Sequence, residues 1–192
     1  MTAVPPSRYL VFLAIALGGC LADLLTKSWI FSRLGMPSGE RLWIWQGHIG
    51  LETSLNEGAL FGIGQGMVVF FAVLSLVALI GIVIWLFYYG AALDWLLTIA
   101  LGAMTAGILG NLYDRLGLHG LKWHHPPRVG EPVYAVRDWI LLQANERLQW
   151  PNFNIADSLL VIGGALILWH AFTTPDPSAA KQPSEPDTPS EA

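Results

Sequence analysis

The hydrophobic positions of the chain are concentrated in four long apolar runs. The run from Met67 to Tyr89 carries no charge, and the run from Ile155 to Phe172 carries a single acid, Asp157, near its start. A third run begins at Trp95, after a short polar connection, and continues to about Tyr113. Each is long enough for a helix to cross most or all of a hydrocarbon core of roughly 30 Å. The pattern predicts transmembrane helices over about 67–89, 95–113 and 155–172.

The first apolar run is too short by itself to cross a membrane. The stretch from Tyr9 to Ala22 reaches only about 21 Å as a helix. The helix must therefore continue through Asp23 and Lys27 to about Ile30, which predicts a first span over 9–30. Asp23 and Lys27 are four positions apart with the acid first, the favourable order for an ion pair within a helix. Such a pair has a purely structural explanation as well as a functional one.

Two polar segments between the spans carry the predicted extramembrane structure. In the first, from Phe31 to Gly66, alternating runs at Arg41–Trp45 and Ile49–Leu55 predict a small β hairpin that turns at residues 46–48. In the second, an amphipathic piece from Trp139 to Leu148 predicts a short loop helix. The predicted fold is an all-α polytopic membrane protein with four transmembrane helices, one β hairpin and one amphipathic loop helix.

The same pattern predicts a single membrane-embedded domain over residues 1–172. Beyond it, five prolines with serines and acidic residues predict a disordered tail over 173–192. Four spans put both termini on one side of the membrane. The loops Phe31–Gly66 and Tyr113–Phe153 then share the other side.

Composition supports the membrane assignment and narrows the chemistry. Hydrophobic residues make up 54% of the 192 residues and charged residues 12%, whereas roughly a quarter of an ordinary soluble domain is charged. The net charge of -4 and the lack of a basic patch argue against a nucleic-acid partner. The single cysteine, Cys20, excludes an intrachain disulfide and a cysteine-based metal cluster. His119, His124 and His125 lack the spacing of known zinc sites, so no metal or cofactor is expected.

Polar residues from three of the four spans and from both loops fall at one predicted membrane boundary. Most have ordinary explanations one at a time, as helix-ending ion pairs, turn residues or caps. Taken separately, these explanations do not account for the fact that all of the residues fall at the same boundary. The residues are Asp23, Lys27, Asn56, Asn111, Asp114, Arg115, Asp138, Asn154 and Asp157.

Two of these acids, Asp138 and Asp157, suit acid/base chemistry. Asp157 lies one turn inside the fourth helix, with Asn154 on the same face. The helix N-terminus favours the ionised carboxylate, whereas desolvation and a second carboxylate favour the protonated form. The pair is therefore expected to share one proton, as the carboxylates of aspartic proteases do. The alternative is that Asp157 only caps its helix and that Asp138 is a solvated loop residue.

The chain resembles the bacterial lipoprotein signal peptidase family, signal peptidase II, from Tyr9 to Phe172. The order of the motifs relative to the four spans carries the resemblance. The matching stretches are Asp23-Leu-Leu-Thr-Lys27, Asn56-Glu-Gly-Ala-Leu-Phe-Gly62, Gly110-Asn-Leu-Tyr-Asp-Arg115, Arg137-Asp-Trp-Ile140 and Phe153-Asn-Ile-Ala-Asp157.

The resemblance implies a membrane aspartic endopeptidase that removes the signal peptide from diacylglyceryl-modified prolipoproteins, cutting just before the lipidated cysteine. It implies a catalytic pair at Asp138 and Asp157, with the other residues at the boundary shaping or supporting the site. It also implies a multi-pass protein of the bacterial inner membrane with cytoplasmic termini, an active site near the outer leaflet, contact with membrane lipid and inhibition by globomycin. Counting basic residues in the loops would instead place the loops in the cytoplasm.

One departure from the family pattern affects the first catalytic position. The segment between Asp114 and Asp138 is longer than is usual in the family and contains a His-His-Pro-Pro stretch, so residues 117–134 look like an insertion. Asp138 is the only acid before a Trp-Ile pair. Glu131 is the fallback candidate for the first catalytic acid.

Two other functions are compatible with parts of the sequence. Arg8, the following apolar run and Leu17-Gly-Gly-Cys20 resemble a lipoprotein signal with a lipidation box, although a helical pattern rather than a polar tether follows Cys20. Charged residues in membrane helices also build ion paths, so a small carrier or channel is the second function class. Transporters often show internal repeats with polar residues at mid-membrane, whereas here no repeat is seen and the polar residues lie at one boundary.

Overall fold

The four predicted transmembrane helices are all present. The computed structural model of the chain describes residues 3–58, 64–145 and 147–174. Its four long apolar helices are α1 (Pro6–Leu34), α2 (Val68–Val83, extended by a π-helical turn over Ile84–Tyr88), α3 (Trp95–Arg115) and α4 (Ile155–Thr173). Their bounds agree with the predicted spans to within a few residues. The disorder predicted for 173–192 concerns mainly residues outside the described ranges.

Helix α1 is longer at both ends than its apolar run. Pro6 occupies the first turn, where its missing N–H is not needed. The helix ends at Gly35, which has a φ of 73° and donates its N–H to the Phe31 carbonyl. Asp23 and Lys27 lie inside the helix and are fully buried. The span therefore continues through two charges because they face the protein rather than lipid.

The two extramembrane loops form one antiparallel sheet. Its strands are β1 (Leu42–Trp45), β2 (Ile49–Asn56), β3 (Val136–Asn145) and β4 (Leu148–Phe153), in that spatial order. Strands β1 and β2 are the predicted hairpin. Strand β2 also pairs with β3, with Ser54 opposite Asp138. The loop after α1 and the loop after α3 therefore meet at the same end of the helix bundle.

The predicted amphipathic helix over Trp139–Leu148 is wrong, and with it the all-α class. Residues 136–145 are β3, and Leu148 begins β4. Ile140 lies opposite Leu51 of β2, and Gln143 lies opposite Gln149 of β4. A short apolar run suits a helix or a strand equally well. The ladder to β2, which is distant in the chain, decides between them.

Helix α3 is the most buried of the four helices and packs between α1 and α4. Small residues on α3 allow this close approach. A Cβ on Gly107 would collide with the Ala156 carbonyl of α4, and one on Gly110 would collide with the Asp23 carboxylate of α1. The glycines thus bring the first turn of α4 and the acid of α1 to the same level of α3.

Replacing Gly163 with alanine should destabilise the fold by about 1–3 kcal/mol, because the interface between α4 and α3 would be overpacked. The added Cβ would lie 2.7 Å from the Ala100 carbonyl oxygen and 2.5 Å from Cγ of Met104. The matched control is Gly164→Ala, whose Cβ meets nothing within 4 Å and which should leave stability unchanged or slightly raised. Thermal unfolding of the two variants in detergent measures the difference. Equal midpoints would contradict this account of the interface.

Candidate active site

One asparagine connects the two candidate catalytic aspartates. Asn154 donates a side-chain N–H to Oδ1 of Asp138 at 2.6 Å, and its backbone N–H to Oδ2 of Asp157 at 3.2 Å. Asp138 lies on β3 and Asp157 in the first turn of α4. The fold therefore brings together two acids that the sequence separates by a whole strand.

A capping box fixes the position of Asp157. Asn154 is the N-cap of α4 and accepts the backbone N–H of Asp157 at 2.8 Å, while the Asp157 carboxylate accepts the backbone N–H of Asn154. Asp157 therefore does cap its helix, as the simpler interpretation of the sequence proposed. The same contacts place its carboxylate next to the partner of Asp138, so the capping role and a chemical role are compatible.

Strand pairing and a second amide fix the position of Asp138. The strand register sets Asp138 opposite Ser54, and the Asn56 side chain at the end of β2 also forms a hydrogen bond with the Asp138 carboxylate. Asp138 is only 2% exposed. It is therefore a buried strand residue held by two asparagines and not a solvated loop residue.

Asn111 of α3 links this pair to a buried lysine. It donates to Oδ1 of Asp157 at 2.8 Å. Its own Oδ1 accepts from Nζ of Lys27 at 3.0 Å and from Nδ2 of Asn154 at 3.2 Å. Because an ammonium group can only donate, it fixes the orientation of the Asn111 amide and so directs an N–H toward Asp157.

Beneath the asparagines lies a buried cluster of alternating charges. Nζ of Lys27 is 2.7 Å from Oδ2 of Asp23 and 3.1 Å from Oδ2 of Asp114, and all three side chains are fully buried. Arg137 donates to Oδ1 of Asp114 from Nε at 3.0 Å and from Nη2 at 2.8 Å. Oδ1 of Asp23 accepts the backbone N–H of Ala156 at 2.9 Å. The cluster connects α1, α3, α4 and β3.

Arg137 is the member of this cluster that the sequence analysis did not select. It is 3% exposed and directly precedes Asp138. A basic residue beside a candidate catalytic acid, in a segment otherwise apolar, is the signal that could have identified it. By holding Asp114 with two side-chain donors and its own backbone N–H, Arg137 anchors β3 to α3.

Arg115 lies apart from this cluster, although a spacing of i, i+3 and i+4 puts Asn111, Asp114 and Arg115 on the same side of α3. Its Nη2 donates to the Gly58 carbonyl at 3.1 Å, and its guanidinium lies 5.5 Å from the centre of the Phe71 ring. Asp114 pairs with Lys27 and Arg137. The end of α3 is therefore not a simple Asp114–Arg115 ion pair.

The environments of the two carboxylates differ. Burial raises the pKa of Asp138 well above its usual range, and the nearby charge of Asp157 raises that pKa further. Lys27 and the hydrogen bonds from Asn154 and Asn56 oppose this shift only in part. Asp157 is half-buried and borders an apolar depression of about 320 Å³, lined by Trp150, Phe153, Ser158, Val161 and Ile162. Asp138 is thus the enclosed acid and Asp157 the more accessible one.

Glu131 and the three loop histidines lie elsewhere. Glu131 is exposed and lines a different cavity, beside Arg115 and Arg128. His124 and His125 are exposed, and Nδ1 of His119 accepts the backbone N–H of Leu121 at 3.0 Å. Within the ranges that the structure describes, no three His, Cys, Asp or Glu side chains are grouped so as to hold a metal ion.

Comparisons with known proteins agree with this architecture. The family described as "Signal peptidase (SPase) II" matches residues 15–173. The lipoprotein signal peptidase of Rhodopirellula baltica is 46% identical over 171 residues, which cover 88% of this chain and 75% of the relative. The corresponding protein of Clostridium novyi is 30% identical over 153 residues, which cover 80% of this chain and 91% of the relative.

A solved structure supports the same assignment. The structure described as "Bacterial membrane enzyme structure by the in meso method at 2.3 A resolution" superposes with a TM-score of 0.69 and 26% sequence identity, covering 91% of this chain and 93% of the other. Family, relatives and fold therefore agree over nearly all of the described residues. The chain belongs to the signal peptidase II family and is a multi-pass membrane protease.

Proposed function

We propose that the protein is an aspartic endopeptidase that cleaves the signal peptide from diacylglyceryl-modified prolipoproteins, on the N-terminal side of the lipidated cysteine. The observation that carries the proposal is the attachment of Asp138 and Asp157 to the same asparagine, at one end of four membrane helices. Two carboxylates in such unequal surroundings can divide the roles of general acid and general base.

The surroundings of the two carboxylates support one division of these roles. Asp157 accepts N–H groups from Asn111 and Asn154 at the N-terminus of α4 and is the more accessible of the two acids, so we assign it the role of base. Asp138, whose pKa is raised by burial, holds the proton and acts as acid. The residues that support the pair are Asp23, Lys27, Asn56, Asn111, Asp114 and Asn154, while Arg115 holds the neighbouring Gly58.

In the proposed reaction, a water between the carboxylates loses a proton to Asp157 and its oxygen attacks the scissile carbonyl carbon. Asp138 donates its proton to the carbonyl oxygen, which gives a tetrahedral diol. The carbon–nitrogen bond then breaks as the proton on Asp157 passes to the leaving amine. Asp138 recovers a proton from the diol, which restores both carboxyl groups to their starting states.

The proposed substrate has apolar parts that suit this location. Asp157 borders the apolar depression between β4 and α4, and α4 exposes Val161, Leu168 and Phe172. An acyl chain or a signal-peptide helix can reach the site from the bilayer without leaving an apolar surface. We place the protein in the bacterial inner membrane, with cytoplasmic termini and the sheet at the outer leaflet, in contact with membrane lipid.

Cleavage of a purified diacylated precursor tests the proposed function. The full chain in detergent or proteoliposomes should release the signal peptide just before the lipidated cysteine, and globomycin should block the release. The matched substrate is the same precursor without the diacylglyceryl group, which should be cut far more slowly. Equal cleavage of both precursors would overturn the substrate assignment. Ion or solute flux without any cleavage would favour the carrier alternative.

Replacing Asn56 with alanine should move the alkaline limb of the pH–rate profile to higher pH. In the proposed mechanism, activity falls as pH rises through the pKa of the acid, Asp138. The Asn56 hydrogen bond favours ionised Asp138, so removing it raises that pKa further and keeps the acid protonated at higher pH. Cleavage rates at saturating substrate across the pH range measure the shift.

Asn145→Ala is the matched control for this pH experiment. The Asn145 side-chain oxygen accepts the backbone N–H groups of Arg147 and Leu148, and Asn145 is itself exposed at the end of β3. The pH–rate profile of Asn145→Ala should coincide with that of the parent protein. A limb that moves to lower pH in Asn56→Ala would contradict the assignment of Asp138 as the acid.

A further inference from the structure

The segment over residues 117–134, which looks like an insertion, folds as an ordered hairpin. Its two sides are joined by backbone hydrogen bonds from Trp123 to Glu131 (2.9 Å), from Gly130 to Trp123 (2.8 Å) and from Val133 to Leu121 (3.0 Å). We call residues 117–134 the insertion hairpin. It leads directly into β3, and it forms one wall of a cavity of about 800 Å³ whose opposite wall is α2.

The insertion hairpin contacts the chain just after β2. The Arg128 guanidinium forms an ion pair with the Glu57 carboxylate and lies 3.9 Å from the centre of the Trp123 ring of the same hairpin. The ring limits the positions open to the guanidinium, because cation–π contact favours one face of the indole. Arg128 is thus partly ordered before it meets Glu57.

At the end of β2, three consecutive residues are held by three different elements. Asn56 bonds Asp138 of β3, Glu57 pairs with Arg128 of the insertion hairpin, and the Gly58 carbonyl accepts from Arg115 of α3. The Gly58 N–H also donates to Oδ1 of Asn56 at 2.9 Å, which leaves the Asn56 amide N–H groups directed away from the turn. The hairpin therefore holds the residue next to the one that contacts the buried acid.

We propose that Arg128 is a positioning residue, which acts through Glu57 to keep Asn56 hydrogen bonded to Asp138. The inference rests on the proposed function, since it assigns Arg128 a role in the reaction at Asp138. Arg128 and Glu57 do not touch the carboxylates themselves. The insertion hairpin is in this view a support for the active site that the chain carries between α3 and β3.

The expected effect is moderate, because the side chains of Arg128 and Glu57 are 42% and 24% exposed. Exposed ion pairs contribute little by themselves, and the stacking on Trp123 adds a similar amount. Arg128→Ala should lower kcat by about fivefold, which corresponds to losing both the ion pair with Glu57 and the contact with the Trp123 ring. KM should stay unchanged, since the loss is in the alignment of the acid and not in substrate binding.

Charge exchange distinguishes this role from a general structural one. The single variants Arg128→Glu and Glu57→Arg should each lower kcat on the diacylated precursor, and the double variant Arg128→Glu/Glu57→Arg should recover most of it. Lys122→Ala is the matched control, because Lys122 is an exposed cation of the same hairpin, and it should behave as the parent. All variants are assayed as full-length protein, with thermal unfolding measured in parallel.

The outcomes separate the inference from the function. If the parent does not cleave the precursor, the proposed function fails. If the parent cleaves it but Arg128→Ala keeps the parental kcat, or raises KM alone, the positioning role is wrong. Loss of activity in the charge-exchanged double variant as severe as in the single variants would also overturn it. Recovery of kcat on charge exchange with unchanged KM supports it.

Discussion

Replacing Asp157 with asparagine should reduce cleavage of a diacylated precursor by at least about 100-fold, the usual minimum for loss of a general base. Asp157 accepts one hydrogen bond from Asn111 and one from Asn154, each at a different carboxylate oxygen. The amide of asparagine has only one oxygen, so it can keep these hydrogen bonds only in part. It cannot take a proton from water. The variant should still fold, because an amide oxygen at this N3 position can still accept the backbone N–H of the N-cap residue, Asn154. Single-turnover cleavage, with thermal unfolding as the folding check, measures the effect.

Asp138→Asn should be equally disabling, and the double variant Asp138→Asn/Asp157→Asn should be little worse than either single variant. Residues that act as one catalytic unit show such non-additive losses. Glu131→Gln is the matched control: it removes the other acid considered for the first position, which lies exposed in the insertion hairpin, and it should keep most activity. Normal cleavage by Asp157→Asn, or a severe loss in Glu131→Gln, would refute the assignment of the pair.

Replacing Lys27 with methionine should destabilise the protein by about 3–5 kcal/mol, the usual cost of removing one partner from a buried charge pair. Methionine fills a similar volume, so the loss reports charge and not a cavity. Without the ammonium, Asp23 and Asp114 would face each other with Arg137 as their remaining cation. Asn111 would also lose the donor that orients its amide. Thermal unfolding in detergent and precursor cleavage should both show the defect.

A second substitution tests whether uncompensated charge is the cause. Asp23→Asn in the Lys27→Met background removes one of the two stranded carboxylates and should recover part of the lost stability, while the oxygen of the introduced amide can still accept the Ala156 N–H. Lys122→Met, at an exposed lysine, is the control and should unfold at the same temperature as the parent protein. If Lys27→Met also unfolds at the same temperature as the parent protein, the buried cluster does not stabilise the fold as described.

Hydropathy alone predicted the helices, because a bilayer leaves a chain few ways to satisfy its backbone. The first span was the informative one. Its apolar run was too short, so Asp23 and Lys27 had to lie inside the helix, and both are fully buried there. The convergence of polar residues at one boundary followed from the number of spans. These features depend on local composition and on the direction in which each helix crosses.

The sheet could be predicted only in its local part. The hairpin of β1 and β2 has its turn and its alternation in one short stretch, whereas β3 depends on pairing with β2 across two intervening helices. Residues 139–148 therefore read as an amphipathic helix when taken alone. Contacts between distant segments override weak local preferences in such runs.

Within the site, the residues themselves could be selected but their partners could not. Spacing on α3 placed Asn111, Asp114 and Arg115 on one face, yet Asp114 pairs with Arg137 of β3 and Arg115 reaches Gly58. A helical spacing constrains only direction. The choice of partner depends on which strand lies opposite, and that was the part of the fold that the sequence left undecided.

The double use of Asn154 couples folding to enzymatic competence. The asparagine that starts α4 also holds Asp138, so the proposed catalytic pair cannot assemble before the last membrane helix has begun correctly and the sheet has closed on it. A chain whose last helix has not yet formed contains Asn154 and both aspartates, but not the arrangement that joins them. In the proposed mechanism, hydrolysis therefore begins only when biogenesis of the protein is complete.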